Sequence, residues 1–153
     1  MPAYLSAQRP GSDAGDGVRF GISLGGTATV GLTAEFFRNS RSVEVGLGTW
    51  SFSSVSVTAV ARQYFLSSSA RPVVGAGFLL VRQGTQPGEP RPSWALIARV
   101  PVGLDWAIND SHGVGLFGNV SRGLWVRRGD PTDDAPMVGR LVPLPELYYR
   151  YAR

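Results

Sequence analysis

Asp110, Ser111 and His112 stand side by side in this chain, and His112 is its only histidine. A serine, a histidine and an aspartate can together run acyl transfer, provided that the three converge in space. Immediate neighbours in a short turn do not converge in that way, so the trio reads as a turn. Asp130, Asp133 and Asp134 offer oxygens that suit a hard cation, but their Gly- and Pro-rich surroundings read as a solvated loop. Gly-x-Gly pairs such as Gly46/Gly48 and Gly75/Gly77 open no helix, so a phosphate cradle is not supported. Asn119 and Ser121 spell a glycosylation acceptor, yet they fall inside a strand candidate. There is no cysteine, which excludes disulfides and thiolate metal sites. All 15 basic residues are arginine and the pI is about 10.1. The arginines are scattered, with only Arg127 and Arg128 adjacent, and do not form a phosphate-tracking stripe. The expectation is no catalytic residue, no cofactor, no metal and no nucleic acid.

The remaining charges follow a simpler rule. Arg19, Arg62, Arg99 and Arg150, with Glu35, Glu44, Asp105 and Glu146, each sit on the polar parity of a segment that alternates polar and apolar residues. Residues 94–108 show the pattern at its clearest. One face carries Trp94, Leu96, Ala98, Val100, Val102, Leu104, Trp106 and Ile108; the other carries Ala95, Ile97, Arg99, Pro101, Gly103, Asp105 and Ala107. Side chains alternate across a strand, so these are two different surfaces.

Eight such strands are expected, near 17–25, 27–37, 42–52, 55–66, 72–83, 93–108, 112–128 and 139–152. Most reach at least the roughly 9–11 residues of a membrane strand, against about 5–6 in soluble sheets. No helical period stands out. At 153 residues the chain reads as one domain, with residues 1–16 a flexible, polar N-terminal segment and 17–153 the folded unit. No apolar h-region opens the chain, so an exported protein would be represented here by its mature form. Charged residues make up 17%, below the roughly 25% of soluble domains, and the mean hydropathy is zero. The connections after strands two, four and six are short. Those after five and seven are long and open at one end, the habit of membrane barrels.

If the apolar face is outside, the eight charges line a lumen just wide enough for side chains to fill. Buried charge persists only when paired, so the expected interior is salt-bridged and mostly plugged. The inward glycines either allow strand curvature or make room for Trp50, Tyr64, Phe117 and Trp125, or leave a narrow hydrated path. Phe36, Trp106, Tyr149 and Tyr151 at one end and Trp94 at the other suit interfacial girdles. Arg122 breaks the apolar parity of the seventh strand and suggests a bulge. Pro143 and Pro145 cannot donate ladder bonds. They imply either an eighth strand that starts only at Glu146 or a weak seam.

Residues 43–52, 57–65 and 71–78 form a strand, then Arg62-x-Tyr64-Phe65, a short turn and Arg71-Pro-x-Val-Gly-Ala-Gly77. This run resembles the middle strands of small bacterial outer-membrane β-barrels of the OmpA/OmpX/OmpW type. The resemblance covers 17–152 as architecture and about 43–78 as wording. It implies a Gram-negative outer membrane, periplasmic termini and no cofactor. The fold expected is therefore all-β, an eight-stranded antiparallel up-and-down transmembrane β-barrel. Its partners would be outer-membrane lipid and other envelope proteins, and its role structural, anchoring or as an assembly subunit. Two alternatives stay open: a narrow pore for water, ions or small solutes, and a soluble β-barrel that binds an apolar ligand.

Overall fold

Each strand carries backbone N–H and C=O groups on both edges that need partners, and the chain supplies them by closing on itself. The computed structural model describes residues 16–26, 28–50, 53–66, 68–85, 87–88, 90–133 and 141–152. Eight strands follow in chain order: β1 (Gly17–Gly25), β2 (Ala28–Arg38), β3 (Arg41–Thr49), β4 (Ser54–Tyr64), β5 (Ala70–Gln83), β6 (Ser93–Ala107), β7 (His112–Arg127) and β8 (Val142–Ala152). Each pairs antiparallel with the next, and β8 returns to β1, giving a closed up-and-down barrel with no free edge. The N-terminal segment through residue 15, Asp134 and positions 139–140 of the eighth expected strand lie outside the described residues.

The connections at the end bearing the termini are short: two residues between β2 and β3, five between β4 and β5, four between β6 and β7. At the other end they are two, four, nine and fourteen residues. The two-residue turn Asn39-Ser40 uses Asn39 at φ 55°, a left-handed conformation that asparagine adopts at low cost. The opposite turn uses Gly25 at φ 82° and Gly26 at φ 67°. A side chain at Gly26 is excluded twice over, because its Cβ would lie 2.6 Å from the Glu146 Oε2.

Local irregularities decide several faces. A register shift at Leu24/Gly25 turns Ala28 inward and Thr29 outward, the reverse of strict alternation through that turn. In β7 the bulge is at Leu124: Gly123 opposes Ile97 and Trp125 opposes Leu96. Arg122 is therefore on the outer face, one outward row below Trp125. The same bulge points Trp125 outward at 48% exposure, and Trp50, just past the end of β3, is 42% exposed. Neither tryptophan occupies the interior space that the glycines leave; Tyr64 and Phe117 do, both nearly fully buried.

β8 begins at Val142, four residues before Glu146. Its ladder with β7 runs through both prolines, Pro143 opposite Val120 and Pro145 opposite Gly118. Its pairing with β1 covers only Arg19–Gly25 against Glu146–Ala152. The Gly26 N–H donates to the Pro145 carbonyl at 2.7 Å, so Pro145 faces β1 where that strand ends. Pro143 shares its parity and lies beyond β1, so the missing donors fall where there is little ladder to lose.

Gly103 marks a tight point of curvature. A Cβ there would collide with the Leu116 carbonyl oxygen and come within 2.7 Å of the Phe117 Cδ1. Backbone cannot swing aside, so Gly103→Ala should cost about 1–3 kcal/mol, the usual range for overpacking. A denaturation midpoint equal to that of the wild type would show that the strand has slack.

Candidate functional site: the charged barrel interior

Alternation carries one side chain in every two to the barrel axis, and the interior is polar. Among the described residues, the buried charged side chains are Arg19, Glu35, Glu44, Arg62, Arg99, Asp105, Glu146 and Arg150, none more than 5% exposed. They are linked by short contacts from one end of the lumen to the other, Arg71 bridging from Asp105 to the Tyr64 ring, 5.0 Å from its centroid.

Nearest the termini, Asp105 on β6 accepts from Arg150 on β8 at 2.6 Å and from Arg71 on β5 at 2.8 Å. Arg71 is a lumen residue that the sequence reading leaves in the turn. The signal was its parity with Val73, once β5 is extended back to Ala70. Gly113 opposes Arg150 in register, and a Cβ there would come within 2.5 Å of the Arg150 Nε, so that glycine makes room for the guanidinium. Arg19 lies over the Phe37 ring, 3.5 Å from its centroid, a cation–π contact in a dry setting.

The middle of the lumen combines charge with aromatic rings. Arg62 on β4 donates to Glu44 on β3 at 2.8 Å and sits over Phe117 and Tyr148, at 4.8 and 5.3 Å from their centroids. Glu35, which opposes Glu44 across the β2–β3 ladder, accepts from the hydroxyls of Ser42 at 2.6 Å and Tyr64 at 2.5 Å. The Tyr148 hydroxyl completes this set at 3.4 Å. Phe37, Tyr64, Val73, Phe117 and Tyr148 form a buried cluster around these groups. Phe37 and Tyr148 had not stood out in the sequence, because each has an outward aromatic neighbour, Phe36 and Tyr149. Their parity with Glu35 and Glu146 was the available signal.

Toward the other end, Arg99 on β6 donates to Glu146 on β8 at 2.8 Å and to Asn119 on β7, whose Nδ2 donates in turn to Glu146 at 2.7 Å. Thr58 accepts from the second Arg99 nitrogen at 3.2 Å. Beside this triad a small cavity of about 20 Å³ lies among Ser23, Thr33, Ser56, Thr58, Glu44 and Glu146. That is room for about one water molecule. The six charges expected near the termini, Arg19, Glu35, Glu44, Arg62, Asp105 and Arg150, are in that half of the barrel, and Arg99 with Glu146 forms the upper pair.

The other chemistry-bearing residues stay apart from this interior. Asn109 Oδ1 accepts from the Ser111 and His112 backbone N–H groups at 3.0 and 2.8 Å, which makes the turn. The His112 Nδ1 is 2.6 Å from the Tyr149 hydroxyl, and its ring lies 5.3 Å from that of Tyr151. This is a rim cluster of rings rather than a nucleophile with its base. Changing His112→Phe should keep the ring contacts and cost no more than about 1 kcal/mol for one hydrogen bond; a larger loss in thermal unfolding would give His112 a greater role. In the β7–β8 loop, Asp130 accepts from the Thr132 N–H at 2.8 Å and hydroxyl at 2.7 Å. Those bonds hold its carboxyl below the ordinary range. Asp133 pairs with Arg128 at 2.6 Å. Among the described residues no three His, Asp or Glu side chains gather as a metal site.

No protein-family model matches the chain, and no curated protein matches it.

Proposed function

We propose that this barrel is an integral protein of a bacterial outer membrane with a structural, anchoring or assembly role and a closed lumen, as in the small barrels it resembles. One observation carries the reading: the polarity of the wall is inverted relative to a soluble barrel. Charges are inside, while Leu32, Leu47 and Phe20 are 64, 61 and 59% exposed on the outside. Contiguous apolar surface of that kind exceeds what a soluble monomer presents to water.

The dimensions and rims support it. Trp106 follows Trp94 by twelve residues on β6, about 40 Å of strand at ~3.3 Å per residue. A tilt of about 45° reduces that to about 28 Å, near the ~25 Å apolar band of outer-membrane barrels. Trp50, Trp94 and Trp125 ring one end of this band, and Phe36, Phe65, Trp106, Tyr149 and Tyr151 ring the other, where aromatic belts belong. Arg82 adds a cation over Trp94, 5.8 Å from its centroid.

A soluble carrier of apolar ligands needs an apolar interior, and among the described residues this one holds nine charges, Arg71 included, and several hydroxyls. A pore needs a continuous path, and the axis is crossed by Arg62, Phe117 and Tyr148. The test has two stages. In detergent, unboiled protein should migrate differently from boiled protein on a gel, because the closed barrel resists unfolding. In a planar bilayer it should show no discrete current steps. Steps that persist in highly purified protein would make it a narrow pore. Solubility as a monomer without detergent would remove the membrane reading altogether.

A further inference from the structure

The outer wall is not uniform. Along β2 to β5, Phe36, Val43, Ala61 and Ala76 are consecutive register partners in one row. Side-chain size falls along that row, so the wall dips over the two alanines. With Val74 below, these residues bound an open apolar hollow of about 530 Å³. Beside it Pro101 interrupts the β5–β6 ladder: the pairing passes from Val74–Val102 to Gly77–Arg99. The hollow shares Arg38 and Arg41 with a second one of about 500 Å³ formed on the β2–β3 turn. A long apolar trough thus leads directly to a cationic rim.

We propose that this trough seats one anionic phospholipid, its phosphate on Arg38 and Arg41 and an acyl chain over Ala61 and Ala76. The proposal rests on the membrane reading above, which places this rim at the headgroups of the leaflet facing the termini. Charge complementarity selects the occupant. Arg38 and Arg41 are directly opposed across the β2–β3 ladder, and like charges so placed repel. The turn between them is Asn39-Ser40 and supplies no carboxylate. An anion held between the two guanidinium groups removes the repulsion and suits their planar donor forks. The Gln63 Oε1 accepts from the Arg41 Nε at 3.2 Å, and its Nε2 donates to the Ser40 carbonyl at 3.1 Å. A second copy of the chain is a poorer fit, because a two-fold contact through this face would set the arginine pair against itself.

The experiment uses the full chain in phosphatidylcholine vesicles containing a minor share of phosphatidylglycerol. The protein is extracted in mild detergent, and the lipid that remains bound is quantified by mass spectrometry. The wild type should retain phosphatidylglycerol several-fold above its share. Arg38→Gln with Arg41→Gln should bring retention down to that share. Ala61→Phe with Ala76→Phe should do the same with both arginines in place. The mobility shift on boiling is recorded for every variant. Retention in proportion to the bulk by a wild type that still shows the shift would overturn the lipid seat and leave the membrane reading intact. So would enrichment that survives loss of both arginines. A cross-linked dimer abolished by filling the trough would reassign the face to a second copy. Failure to enter vesicles would overturn the membrane reading and the lipid seat together. The arginine pair closes the β2–β3 ladder at its exposed end, so its variant tests the seat even where Ala61→Phe fails to fold.

Discussion

Arg99→Leu should destabilise the barrel by about 3–5 kcal/mol, the cost of breaking a buried ion pair from one side. Arg99 is 2% exposed and Glu146 4%, so water does not take over the role of the missing guanidinium. After the change Glu146 keeps Asn119 as a donor at 2.7 Å but loses its counter-charge, and Thr58 loses the contact at 3.2 Å. The measurement is the urea midpoint followed by tryptophan fluorescence. Arg99→Leu combined with Glu146→Leu should recover most of the loss, since replacing both members of a buried pair by apolar groups is often neutral. The difference between the double variant and the sum of the singles is the coupling. A midpoint unmoved by Arg99→Leu alone would mean that the upper lumen is wet enough to solvate Glu146.

The next residue predicts an effect of a different kind. Val100→Arg should impair membrane insertion by about 2–4 kcal/mol, the cost of a lipid-facing arginine at mid-bilayer. Val100 is midway between Trp94 and Trp106 on β6 and is 42% exposed on the outer face. Arg122 supplies an internal comparison. It opposes Ala98 on the same face, close enough to the Trp125 row that in the proposed membrane setting its long side chain would reach the headgroups, where the cost falls to about 0–1 kcal/mol. Leu96→Arg, nearer that rim, should therefore insert almost normally. The readout is the fraction of chain that becomes protease-resistant in vesicles. Normal insertion of Val100→Arg would mean that this face does not meet lipid. In a soluble barrel the same change would be silent or would improve solubility, so the two readings diverge on one variant.

Much of this architecture is legible in the amino-acid sequence. Residues such as Val18, Phe20, Ile22 and Leu24 against Arg19, Gly21 and Ser23 leave few ways to form a strand other than with one wet and one dry face. The eight charges could be assigned to one side for the same reason, since a residue's face follows from its parity alone. Strand ends were less legible. β4 stops at Tyr64, short of the expected residue 66, although the Phe65 N–H still donates to the Pro72 carbonyl at 2.9 Å, and positions 51–52 of the expected third strand lie outside the described residues.

What the sequence by itself determined is the number of strands and, along most of each, one polar and one apolar face, consequences of a backbone that repeats every two residues; which face turns inward it left open. What only the tertiary structure decided is which charges meet and where the alternation breaks. Arg99 reaches Glu146 across 47 positions and Arg150 reaches Asp105 across 45, contacts set by ring closure and register rather than by any local pattern. The extra residue at Leu124 sends Trp125 outward, and the shift at Gly25 sends Ala28 inward. A single inserted residue exchanges every face beyond it, and its place is set by the register that two particular strands keep with each other.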